Sequence, residues 1–159
     1  MSAPSAPSST PVLGTRRVCQ IAVVVRDIEK AAHAYADFLG LPVPPIQKPG
    51  AGNLANHTYA GQPTDAECLL AFFNLENTVL ELIQPLGGKS SWQQILDEKG
   101  EGVHHIAFQV TDVAGKSRTL AAQGIPMLHQ GGDPAKGQFT YFDARKKLGI
   151  LFETLEGYK

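Results

Sequence analysis

Four polar side chains interrupt apolar, strand-like segments of this 159-residue chain at two matched pairs of positions. Gln20 and His105 each lie in the first such segment of one half of the chain, and Glu81 and Glu153 each lie in the last. A buried carboxylate is unfavourable by several kcal/mol unless it is paired or bound to a metal, and these segments contain no Lys or Arg. A divalent cation satisfies both carboxylates, so we predict that the four side chains form one metal site.

The predicted donors are one amide oxygen, one imidazole nitrogen and two carboxylates, a set that suits a hard or borderline divalent ion. Octahedral coordination would leave open positions for water or substrate. Zn, Ni, Co, Mn and Mg all accept such ligands, so the identity of the metal stays open. A Lewis acid beside two carboxylates suits proton abstraction next to a carbonyl group, and we expect Glu153 or Glu81 to act as the general base.

The elements that must position these side chains repeat within the chain. Five residues of the first half recur 85 positions later with the same identity, namely Val18, Ile21, Ala22, Val25 and Asp27 at Val103, Ile106, Ala107, Val110 and Asp112. Gly40-Leu41-Pro42 recurs similarly at Gly124-Ile125-Pro126. Each half is predicted to form a strand, a helix and three strands, that is, one βαβββ module.

Helix and strand signals support both modules. Asp27 and Asp112 are good N-caps, and Gly40 and Gly124 follow the last periodic residue of each helix. The remaining segments are strands at 67–74, 78–85, 103–110, 127–130, 139–143 and 149–155, a long loop at 43–66 with a short strand near 57–59, and a capped helix from Ser90 to Leu96. Alternation along 103–110 sends His105 to one face and His104 to the other.

The predicted fold class is α+β, with the two modules packed edge to edge, helices on the outer face and a curved cup inside. Residues 1–14 are rich in Ser, Ala and Pro and are expected to be a disordered leader. A single domain follows over 15–156, made of modules 17–86 and 103–156 joined by a short helical linker at 88–100.

Composition argues against several classes of protein. The chain has 14 Lys and Arg against 15 Asp and Glu, so it lacks the basic surplus of a nucleic-acid binder. No apolar run approaches the length of a membrane span, of about 18–20 residues. Cys19 and Cys68 lie inside apolar runs, which favours two buried thiols in a reducing compartment, and we expect a cytoplasmic protein that binds a small molecule.

Gln20, Glu81, His105 and Glu153 in paired βαβββ modules resemble the vicinal oxygen chelate superfamily, over residues 17–156. The segment Leu80–Gly87, followed by a short helix and Gly102–Ile106, is most similar to the methylmalonyl-CoA epimerases. The full set of four donors instead resembles the eukaryotic type of glyoxalase I, because the epimerases carry His where this chain has Gln20. The resemblance implies a homodimer and a carbonyl or thioester substrate.

The resemblance also adds a third catalytic candidate, since Glu67 matches the position of a catalytic base in the epimerases. Three functions stay open: a metal-dependent isomerase or epimerase of the methylmalonyl-CoA type, a lactoylglutathione lyase of the glyoxalase I type, and a metal-free binding or resistance protein. An extradiol dioxygenase is disfavoured because Gln20 breaks the two-His, one-carboxylate triad that binds its iron.

Overall fold

The computed structural model describes residues 10–50 and 54–158. Within them the strands are β1 (Gln20–Val24), β2 (Thr58–Tyr59), β3 (Gln62–Pro63), β4 (Cys68–Asn74), β5 (Val79–Pro85), β6 (Gly102–Gln109), β7 (Met127–Asp133), β8 (Gly137–Asp143) and β9 (Leu151–Glu156). The helices are α1 (Ile28–Leu39), α2 (Ser91–Lys99), α3 (Val113–Ala122) and α4 (Arg145–Leu148). All these strands belong to one mixed sheet, in the order β3-β2-β7-β8-β9-β6-β1-β5-β4.

The two halves of the chain meet at the centre of the sheet. β1 runs antiparallel to β6, and this pair joins the halves edge to edge. Each of the two strands is flanked on its other side by the last long strand of its own half, in parallel, β5 beside β1 and β9 beside β6. The predicted α+β class with a duplicated sheet is thereby confirmed.

Helix α1 covers the outer face of the first half. Its N-cap is Asp27, whose side chain accepts a hydrogen bond from the backbone N–H of Lys30, and it ends at Gly40, which adopts a left-handed φ of 66°. Both ends match the prediction. The helix packs against the side chains of β4 and β5 that point away from the cup, through Ile28, Ala32 and Ala36.

Helix α2 connects the halves and turns an aromatic side chain toward the cup. The Ser90 side chain accepts a hydrogen bond from the backbone N–H of Gln93, so the helix begins where the capping motif predicts. Its buried side chains include Trp92, Ile95 and Leu96. The linker is therefore part of the core.

After its helix the first half has the three predicted strands, β2, β4 and β5, and one further short strand, β3, inside the predicted loop. Residues 43–49 form a single β-bridge, between Gln47 and Leu70, and the short strand β2 pairs with β7 of the second half. A proline has no N–H to continue a strand ladder. Residues 43–49 contain three prolines, Pro44, Pro45 and Pro49, and Pro42 directly precedes them.

Part of the predicted leader, residues 1–9, lies outside the described residues. Of the rest, Gly14 donates its backbone N–H to the carbonyl of Pro11 at 3.0 Å, and Leu13 packs against the core of the second half. No helix in the described ranges has the length and apolar character needed to cross a bilayer.

Candidate active site

The register of β1 with its two neighbours places three of the four predicted ligands on one face of the sheet. Ala22 pairs with Glu81 of β5 on one side and with His105 of β6 on the other. Gln20 lies two residues before Ala22, so its side chain points to the same face. Ala22 is fully buried, and its small side chain leaves room between the larger polar ones.

The second half repeats this arrangement. Ala107 pairs with Glu153 of β9 and with Gln20 of β1. His105 lies two residues before Ala107, as Gln20 lies two residues before Ala22. The structure therefore brings all four predicted ligands together, on four adjacent strands around two buried alanines.

One side-chain atom of each of these four residues is buried without a hydrogen-bond partner: Gln20 Oε1, Glu81 Oε2, His105 Nε2 and Glu153 Oε2. His105 Nε2 lies 3.0 Å from Glu153 Oε2 and 3.6 Å from Glu81 Oε2. All four residues are at most 7% exposed. Buried polar atoms are almost always satisfied, so four unpartnered atoms on one face of four adjacent strands indicate a shared partner. One nitrogen and three oxygens suit a divalent cation.

Among the described residues, no group of three or more His, Cys, Asp or Glu side chains is already arranged as a metal cluster. The fit to an ion therefore rests on the four unpartnered atoms, one of which belongs to an amide. The ligand roles of these residues stay a prediction.

Burial controls the charge of the site. It raises the pKa of Glu153 to about 8, an effect that the Tyr141 hydroxyl opposes. Burial and the charge of Glu153 together raise the pKa of Glu81 well above its ordinary value. Burial lowers the pKa of His105 to about 3. The short contact between His105 and Glu153 is thus not an ion pair, and the neutral imidazole is the form that binds metals.

A bulge in β6 changes the predicted position of His104. The register with β1 shifts between Ala22 and Val23, which leaves His104 as an extra residue in its strand. Instead of pointing away, its ring lies against that of His105, with the two Nδ1 atoms 2.9 Å apart. The expectation from strict alternation is wrong here because a bulge interrupts the two-residue period.

The four-residue cluster opens into a cavity of about 540 Å³. Gln20, Glu81 and Glu153 line it, together with Tyr141, whose hydroxyl accepts a hydrogen bond from the Trp92 indole N–H at 3.1 Å. Most of the remaining wall is apolar, formed by Pro49, Leu54, Leu70, Phe72, Val79, Phe139 and Leu155. Such a volume and polarity are typical of small-molecule sites.

Glu67 is not brought to this cluster, which corrects its expected place in the site. It precedes β4, and its carboxylate makes an ion pair with Lys48 Nζ at 2.9 Å, with the Glu67 side chain 48% exposed. The next residue, Cys68, lines the cavity, so alternation turns Glu67 away from it. The register of the β4–β5 hairpin decides which of these two side chains faces the cavity, and the sequence did not predict that register.

Three residues that line the cavity, Cys68, Leu54 and Tyr158, were not predicted as site residues from the sequence. Cys68 faces the cavity, and the pairing of β4 with β5 puts it on the same face as Glu81, which a correct register would have revealed. Leu54 comes from a loop with no periodic pattern. Tyr158 lies near the end of the chain, beyond the last predicted element.

Comparisons with known proteins agree with this fold. The family model described as Glyoxalase/Bleomycin resistance protein/Dioxygenase superfamily matches residues 19–142. The mitochondrial methylmalonyl-CoA epimerase of Mus musculus is 31% identical over 121 residues, 76% of this chain and 60% of that protein. The chain thus spans less than two thirds of that relative.

A bacterial relative is covered more fully. The ethylmalonyl-CoA/methylmalonyl-CoA epimerase of Cereibacter sphaeroides is 30% identical over 117 residues, 72% of this chain and 76% of that protein. Among solved structures, the methylmalonyl-CoA epimerase of Mycobacterium tuberculosis superposes with a TM-score of 0.64 at 19% identity, covering 95% of this chain and 93% of that one. At that identity the likeness supports the fold.

Proposed function

Because the chain belongs to the glyoxalase/bleomycin resistance protein/dioxygenase superfamily, also called the vicinal oxygen chelate superfamily, we propose that it is a metal-dependent isomerase or epimerase. It would remove a proton from the carbon next to a carbonyl group and return it. The epimerase relatives support this class of reaction.

One observation carries the proposal: Gln20, Glu81, His105 and Glu153 each have an unpartnered buried side-chain atom on one face of the sheet, and three of them, Gln20, Glu81 and Glu153, line an apolar cavity. These residues would hold one divalent ion, whose chemistry as a Lewis acid is to stabilise negative charge on a carbonyl oxygen. A cluster with only a structural role would have no reason to open into a cavity of this size.

Glu153 is the proposed general base. Its carboxylate lines the cavity and lies beside the Tyr141 hydroxyl, which stabilises the ionised form that accepts a proton. In the proposed reaction the carbon–hydrogen bond breaks and the proton passes to a carboxylate oxygen of Glu153. Glu81, at the equivalent position of the other half, would return a proton from the opposite side, which inverts the carbon.

A glyoxalase I type of lyase is the second candidate, and the donor set favours it. The sequence resemblance implies that the metal ligands of that enzyme type are also two carboxylates, one imidazole and one amide. The two candidates share the proton abstraction and differ in the substrate. A homodimer and a cytoplasmic location stay predictions.

The test is exchange of the α-proton with solvent. The protein is loaded with Zn, Ni, Co, Mn or Mg in turn, and deuterium uptake from D₂O is followed for methylmalonyl-CoA and for the hemithioacetal of methylglyoxal and glutathione. We expect Glu153→Gln to lower exchange at least 100-fold at saturating metal, since a general base contributes typically 10²–10⁴-fold.

The matched control is Glu29→Gln, the same chemical change on the exposed first turn of α1. It should leave exchange unchanged. If Glu153→Gln retains the wild-type exchange rate while its metal content is full, Glu153 is not the base.

A further inference from the structure

A second buried histidine lies against the predicted metal site, and the proposed reaction does not use it. His104 is 1% exposed, and the bulge in β6 sets its ring across that of His105, with 82° between the two ring planes. Its Nδ1 atom lies 2.9 Å from His105 Nδ1, and its Nε2 atom has no hydrogen-bond partner among the described residues. A buried ring with an unsatisfied nitrogen is rare, which indicates that the contact with His105 has a role.

The direction of this hydrogen bond decides whether His105 can bind an ion. A hydrogen bond between two Nδ1 atoms has one proton, so one ring donates and the other accepts. An ion held by His105 Nε2 needs the lone pair of that nitrogen, and the proton of the neutral imidazole is then on Nδ1. His105 Nδ1–H donates in that case, and His104 Nδ1 accepts. With the roles exchanged, the proton of His105 lies on Nε2 and blocks the ion.

We infer that His104 is a positioning residue for metal binding, which accepts the hydrogen bond from His105 Nδ1 and so fixes the tautomer and ring orientation of His105. A histidine that binds a metal almost always donates its other N–H to a fixed acceptor, and loss of that acceptor typically lowers metal affinity 10–100-fold. The bulge supports this role, because regular alternation would turn His104 to the other face of the sheet. The inference rests on the proposed function, since it concerns the metal site of that function.

Two substitutions separate the acceptor from the shape of the ring. His104→Asn keeps an oxygen acceptor at the place of Nδ1 and loses ring volume, whereas His104→Phe keeps a ring and has no acceptor. The ion is the one among Zn, Ni, Co, Mn and Mg that the wild type binds most tightly, and its Kd is measured by competition with a chelating dye. We expect His104→Phe to weaken binding at least tenfold and His104→Asn to stay within about threefold of the wild type. A purely structural role predicts the reverse order, because His104→Asn leaves the larger void.

The matched control is His57→Phe, the same change at another buried histidine. His57 is 8% exposed, hydrogen-bonds His129 at 2.7 Å and packs its ring against Trp92 and Phe139. We expect this variant to bind the ion like the wild type. Equal weakening by His57→Phe and His104→Phe would overturn the inference, since any disturbed buried ring would then have the same effect.

The tautomers can also be measured in the wild type, whose folding is not in question. The ¹⁵N chemical shifts of the imidazole nitrogens show which atom of each ring carries the proton. With the diamagnetic ions Zn or Mg bound, we expect the proton of His105 on Nδ1 and that of His104 on Nε2. A proton on His104 Nδ1 in the loaded protein would overturn the inference.

Binding and exchange together separate this inference from the proposed function. If the loaded wild type exchanges no α-proton while ion binding still depends on the His104 acceptor, the function is refuted and the inference stands. If the loaded wild type exchanges the proton and His104→Phe binds the ion as tightly as the wild type, the inference is refuted and the function stands. If the wild type binds none of the five ions, both are refuted.

Discussion

At the scale of single residues, the hydrogen bond between Trp92 and Tyr141 decides how the tyrosine can act. An indole N–H only donates, so the Tyr141 oxygen accepts and its single proton is free for another acceptor. Tyr141 pairs directly with Glu153 across β8 and β9, and its hydroxyl opposes the upward shift in the pKa of that carboxyl. A side chain from the linker helix thus orients the hydroxyl beside the proposed base.

Removal of the Tyr141 hydroxyl tests this bond. Tyr141→Phe leaves the buried Trp92 N–H without an acceptor, and an unsatisfied buried donor costs about 1–3 kcal/mol. We expect the free energy of unfolding in urea to fall by that amount. The double variant with Trp92→Phe should lose less than the sum of the two single changes, because the unpaired donor is then gone. Strict additivity would show that the bond contributes nothing.

At the scale of elements, the two halves use the same devices to begin their helices. Asp27 and Asp112 each accept a hydrogen bond from a backbone N–H in the first turn, Lys30 for α1 and Gly115 for α3. Asp112 does so with a left-handed φ of 54°, so the second cap holds a less favourable backbone conformation. Each helix then packs on the outer face of the sheet and leaves the inner face for the site.

The first cap offers a clean test of this element. Asp27→Ala removes the acceptor for the Lys30 N–H, and loss of an N-cap costs about 1 kcal/mol. Urea unfolding should show this loss in the free energy of unfolding with an unchanged slope. Asp27→Ser keeps an oxygen acceptor and should behave like the wild type. If Asp27→Ala is as stable as the wild type, the Asp27 cap does not stabilise α1.

At the scale of the whole molecule, the site is shared by both halves, so an ion there would hold them together. Gln20 and Glu81 come from the first half, and His105 and Glu153 from the second. Each half alone offers two ligands, too few to hold a divalent ion firmly. An ion that binds only the folded state, in which both halves are together, would therefore stabilise the complete fold.

Thermal unfolding measures this coupling. At an ion concentration of one hundred times Kd the stabilisation is about 2.7 kcal/mol, which raises the Tm of a domain of this size by about 5–10 °C. EDTA should reverse the shift, and His105→Ala should abolish it. His33→Ala, at an exposed histidine of α1, should retain it. If no divalent ion among the five raises the Tm, the four-ligand site is refuted.

The sequence alone determined the duplicated architecture and the membership of the four-residue cluster. Both depend on local rules: a strand alternates every two residues, Asp and Gly cap helices, and an internal repeat aligns Gln20 with His105 without any knowledge of pairing. The fold class was predicted from these signals, and the superfamily from the resemblance that the four residues and the paired modules carry; both predictions are confirmed. The convergence of Glu81 and Glu153 followed from the same alignment.

Only the tertiary structure decided which neighbouring side chains share the cavity. The register of the hairpin β4–β5 turned Glu67 outward and Cys68 inward, and the bulge at His104 set that ring against His105. A shift of one residue moves every side chain of a strand to the other face, and neither a hairpin register nor a bulge follows from local preference. Long-range packing fixes both, and with them the walls and the charge of the cavity.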